Sequence, residues 1–180
     1  MPGLSRRHVL AGATIAAGGG LAGCAPGRVE RFGSWAEARN AVVALAQPGS
    51  RWRSTGAWSL GQTLQHLAQS IEGSLAGYPQ LKPAWFTRTL GSAAHALFDA
   101  RGAMTHPLDE PIPGAPTLDA ALPIEAAALR LLKAMDAFEA HAGPLAPHFA
   151  YGPLDKASYA RAHQMHLAAH WQQFEETQHA

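Results

Sequence analysis

Ten histidines in 180 residues is a high count, and three of them crowd one stretch, His163-Gln164-Met165-His166-Leu167-Ala168-Ala169-His170. On a helix, residues three and four apart share a face, so His166 and His170 project side by side, ~6 Å apart along the axis. Two imidazole nitrogens at that spacing can bind one ion. His163 and His170 stand two turns apart, ~10.5 Å by rise, which disfavours an ion shared by those two. The pair is therefore either His166/His170 or His163/His166, with spacing slightly in favour of the first.

A metal site needs further ligands, and helical bundles supply them from facing helices. The best candidate is His66, in Leu64-Gln65-His66-Leu67-Ala68-Gln69, close to the face marked by Leu64, Leu67 and Ile71. A buried neutral imidazole wants a partner for each ring nitrogen, and an ion serves one of them. The same three residues also read as ordinary core and core-edge histidines, and a lone pair four apart is a weak signal. Gln62, Gln69 and Ser70 lie within a turn of His66, where they can orient water or substrate. His148, in a turn before the last helix, can close such a site. His95, His106 and His141 have no usable spacing, and Trp58 and Trp171 read as core anchors.

The only cysteine is Cys24. It ends a basic, then weakly apolar, Gly/Ala-rich start that is too short to span a bilayer, which takes ~20 strongly apolar residues. The order instead fits a cleaved export signal. Ser5-Arg6-Arg7-His8-Val9-Leu10 resembles the twin-arginine signal, although His8-Val9 replaces the more usual residues after the arginine pair. Leu21-Ala22-Gly23-Cys24 resembles the bacterial lipobox. That resemblance implies removal of residues 1–23 and acylation of Cys24. It also implies a membrane-lipid anchor in the cell envelope, with Ala25 favouring the outer membrane over the inner. No other cysteine remains for a disulfide.

After cleavage, roughly 155 residues are left, enough for one domain to bury its own core. Fourteen basic residues fall to twelve when Arg6 and Arg7 leave, against thirteen acidic, a balance of −1 with histidine neutral. No basic patch stands out, so nucleic-acid binding has no electrostatic support.

The histidines must be positioned by helices. Residues 24–33 read as a tether and 34–180 as the domain. Ser34-Trp35-Ala36-Glu37 and Ser59-Leu60-Gly61-Gln62 are capping-box patterns. They predict helices from 34 to about Gln47 and from 59 to about Gly77. A third helical segment follows Pro83, carrying Trp85, Phe86, Leu90, Ala94, Leu97 and Phe98, and fades near Gly102. From Thr105 to Pro123 proline dominates, which predicts a long extended connection. A fourth helix begins near Pro123 and ends near Gly143, and the last runs from about Asp155 to Gln178. No strand pattern appears. The expectation is an all-α, up-down four-helix bundle with an additional short helix and a proline-rich connection.

Trp58-Ser59-Leu60 followed by His66, then Phe149-Ala150-Tyr151-Gly152-Pro153-Leu154 leading to His166-x-x-x-His170, resembles the DinB-like (YfiT-like) superfamily of metal-binding four-helix bundles. The similarity spans about Ser34 to Glu176. The superfamily's triad, one histidine in the second helix and a His-x-x-x-His pair in the last, implies His66, His166 and His170 as ligands. Zinc or nickel suits three neutral nitrogens with a position left open. Relatives that are thiol transferases or isomerases imply a small-molecule thiol as cosubstrate, activated as thiolate on the ion. His163 is then a candidate general base. A homodimer is compatible with this reading, as is a lipoprotein that binds metal or a small ligand without turnover.

Overall fold

Ser34 starts the first helix, α1 (Trp35–Leu45), by accepting the Glu37 backbone N–H at 3.1 Å. Glu37 folds its carboxylate back to the N–H of Gly33, one residue outside the cap, at 2.7 Å. A computed structural model describes residues 31–177. The expected export segment, Cys24 and most of the tether therefore lie outside the described residues.

The second helix, α2 (Leu60–Ala76), opens with a complete capping box between Ser59 and Gln62. It is buried on almost every side, with Thr63, Gln65, His66, Gln69, Ser70 and Ser74 inside along with its apolar residues. A helix buried all round is a central one. Its polar side chains must then find partners in the protein, because water is excluded from them.

The third expected helix is divided. Pro83 caps a short turn, α3 (Ala84–Phe86), followed by a π-helical turn over Thr87–Gly91 and then α4 (Ser92–Arg101). Of this run only Gly91 is buried, and Trp85, Leu90 and Leu97 are largely exposed. The apolar residues carried by this segment thus lie outside the core. Gly91 is required by close approach, since a Cβ there would overlap the carbonyl oxygen of Ala150. An ion pair between Arg161 and Asp99, at 2.5 Å, ties α4 to the last helix.

Helix α5 (Ile124–Ala140) begins after Pro123, whose missing N–H costs nothing at that end. Its buried stripe is Ala127, Ala128, Leu131, Ala134, Met135 and Phe138, and the small residues let it lie close against α2. Helix α6 (Lys156–Trp171) is capped by Asp155, which accepts the Ser158 N–H at 2.7 Å. It contacts both α1 and α2, as α5 also does. Leu64, Leu67, Ile71, Leu131, Met135, Tyr159 and Leu167 share the core these helices enclose.

Two expectations are corrected. The last helix stops at Trp171, short of the expected Gln178, and the chain then forms a strand, β2 (Phe174–Glu176). That strand pairs antiparallel with β1 (Trp52–Ser54), placing Trp52 opposite Glu176 and Ser54 opposite Phe174. The molecule is mostly helical with this small sheet, where no strand was expected. Three-residue strands are too short to show an alternating pattern. No helix among the described residues is long and apolar enough to cross a membrane.

Candidate metal centre

His66 from the middle of α2 meets His166 and His170 from the C-terminal half of α6. The Nε2 of His166 lies 3.1 Å from the Nε2 of His66 and 3.1 Å from the Nε2 of His170. One donor atom from each ring falls within 4.8 Å of the other two. The capping box of α2 and the Asp155 cap of α6 set where each helix starts, and so which turn of each reaches the other. Of the two pairings that spacing allowed, the geometry brings His166 and His170 together.

Burial keeps these rings neutral. It pushes the pKa of His66 down to about 4, helped by the nearby His106. It pushes His170 down to about 2, helped by His66 and His106. His166 is driven well below its ordinary value by burial first and then by its histidine neighbours. Neutral imidazole is the form that ligates metal.

The hydrogen-bond inventory fits an ion. If His66 and His170 both donated to the His166 nitrogen, two protons would crowd one lone pair. Their Nδ1 atoms are buried with no partner among the described residues, whichever nitrogen carries the proton. If all three Nε2 atoms are unprotonated, three lone pairs converge, and a cation is what offsets that repulsion. Tetrahedral zinc with Zn–N bonds of 2.0–2.1 Å separates its ligand nitrogens by about 3.3 Å. The observed 3.1 Å is close to that separation. Three nearby histidines can therefore hold a metal ion.

A cavity of about 270 Å³ adjoins the cluster. His66 and His166 contribute to its wall together with Ser70, Phe86, Met104 and Tyr151, and Lys82 and Glu110 also line it. Trp58, expected as a core anchor, instead packs on the cluster. Its ring is stacked with His170 at 6.3 Å and lies 4.9 Å from His66. Trp171 does anchor the core, against Phe32 and Phe174.

His163 stands apart. Its Nε2 is 3.2 Å from the Ser74 hydroxyl, and its ring packs among Tyr159, Phe138 and Trp35. It does not line the cavity. His148 does line it, with its Nδ1 accepting the N–H groups of Ala150 and Tyr151 at 3.1 and 3.2 Å. Gln62 is engaged in the helix cap. Gln69 donates to the Pro116 carbonyl at 2.9 Å, and Ser70 lies on the cavity wall.

Sequence reasoning missed His106. It comes from the proline-rich connection, yet its ring lies 5.0 Å from that of His166 and 5.4 Å from that of His170. The connection is held on α2 by Gln65, which has no role in the sequence reading, and by Gln69, expected there to orient water or substrate. Gln65 donates to the Asp119 carbonyl at 2.8 Å and accepts the Asp119 N–H at 3.0 Å, one turn before the Gln69 bond to Pro116. Ile112 and Leu118 are buried along the same stretch. Two glutamines four apart on a helix otherwise lined with apolar residues were the signal that could have found it.

Residues 28–177 match the family described as Protein of unknown function (DUF1569), and the chain belongs to that family. No curated protein and no solved structure matches it.

Proposed function

We propose that this DUF1569 protein binds a divalent ion, zinc or nickel, through His66, His166 and His170, and that it is a metal-dependent thiol transferase or related enzyme. The observation that carries the metal reading is the meeting of three neutral Nε2 atoms beside an open cavity. The packing of α5 and of α6 against both α1 and α2 supports a DinB-like four-helix arrangement, with the triad on its second and last members. A bound divalent ion supplies Lewis acidity, which lowers the pKa of a thiol or water. The chain's own part is to hold three ligands neutral, to cover them with Trp58, and to offer a pocket of mixed polarity to a small molecule. We further propose that the protein is exported and anchored in the cell envelope by acylated Cys24.

The second reading is a lipoprotein that captures metal or a small ligand without turnover. It is favoured by the position of His163, whose ring is enclosed in the core away from the cavity. Elemental analysis of the purified protein tests the shared premise. One equivalent of zinc or nickel is expected, and His166→Ala should abolish it and lower the melting temperature. Absence of metal, with melting unmoved by a chelator, defeats the enzyme and the metal-capture readings. If metal is present, a screen of thiol and electrophile pairs separates enzyme from binder.

A further inference from the structure

We propose that His106 is a fourth protein ligand of the same ion, delivered by the proline-rich connection. The inference rests on the three-histidine reading and deepens it.

The first observation is the tautomer. His106 Nδ1 lies 2.8 Å from the carbonyl oxygen of Pro107, and a carbonyl only accepts, so Nδ1 carries the proton. Nε2 of the neutral ring is then a bare lone pair. A histidine that donates one nitrogen to a backbone carbonyl and offers the other is prepared as metal ligands are. The second observation is that this Nε2 is buried and has no partner among the described residues. A buried acceptor left unsatisfied is costly, and an ion supplies the missing interaction.

Ring separations give the third. Within the triad the ring centroids are 4.9, 5.0 and 5.0 Å apart. His106 stands 5.0 Å from His166 and 5.4 Å from His170, the same spacing within a few tenths of an ångström. Its nitrogen lies outside the tight group of three, and its ring lies beside those of His166 and His170. The bonds from Gln65 to Asp119 and from Gln69 to Pro116 hold the connection that carries it.

The consequence is chemical. Four histidines close a site, whereas three leave a place for a substrate atom. A ligand on a separate segment can be displaced by an incoming thiol or carboxylate while the helical triad keeps the ion.

The test is a titration of the full chain with cobalt(II), read by its visible ligand-field absorption, alongside zinc competition against a chromophoric chelator. The variants are His106→Phe, which keeps ring volume, and His106→Gln, with circular dichroism as a check on folding. Both are expected to bind one equivalent about 10- to 100-fold more weakly, with cobalt bands shifted, a loss comparable to that of removing a supporting group. Unchanged affinity and bands in either folded variant overturn the proposal and leave the triad standing. A wild-type chain that binds no cobalt or zinc overturns the triad itself.

Discussion

His163 is a neutral imidazole sealed among Tyr159, Phe138, Trp35 and the Ser74 hydroxyl, and burial pushes its pKa down to about 3. In the unfolded chain a histidine titrates near 6.5 and binds a proton that the folded core refuses. Its contribution to stability is therefore complete above about pH 6.5 and is lost as pH falls toward about 3. Within that window it adds up to about 1.4 kcal/mol of unfolding free energy per pH unit. Urea unfolding at pH 7 and pH 5 should show this slope, reduced in His163→Phe, and an unaltered slope contradicts it. The residue scale is also where the sequence was most informative. Helical spacing offered His166/His170 as one of two pairs and His66 as a facing candidate, and the DinB-like resemblance singled out those three. His106 was not legible, because its position depends on two glutamines gripping a distant backbone, which has no periodicity to read. Trp58 was misread for a similar reason: spacing says that an aromatic is near a helix start, but not which rings it covers.

At the scale of elements, caps and proline punctuation located the starts of α1, α2, α5 and α6 to within a residue or two. The ends were poorer. The final helix stops at Trp171 because Phe174 is drawn into the core and its strand pairs with β1, an event 120 residues away in sequence. The exposed run from Ala84 to Arg101 has apolar residues at helical spacing yet lies outside the core, and nothing local distinguishes it from a core helix. The grip on the proline-rich connection is open to test. Gln65→Ala removes both bonds to Asp119 and the one to the Gly61 carbonyl. A loss of about 1–3 kcal/mol is expected in chemical unfolding. Faster hydrogen exchange over residues 105–119 should accompany it. Exchange unchanged over that stretch would show that the Gln69 bond to Pro116 and the buried Ile112 and Leu118 hold it without Gln65.

Taken whole, the molecule is a set of helices around one core, with the sheet fastening the segment before α2 to the segment after α6. The proposed export leads to a prediction at this scale. Labelled palmitate should enter the wild-type protein and be absent from Cys24→Ala, which should leave the membrane fraction for the soluble one. Equal labelling of both would remove the anchor from the proposal. The histidine cluster also ties the centre to the order in which the chain is made. His66 and His166 are 100 residues apart. At synthesis rates of about 5–20 residues per second, some 5–20 s separate the appearance of the first ligand from that of the second. During that interval a growing chain offers an ion single histidines rather than a chelate. In the proposed three-histidine site, capture of an ion would wait for tertiary folding, so partial chains would compete poorly for scarce ions.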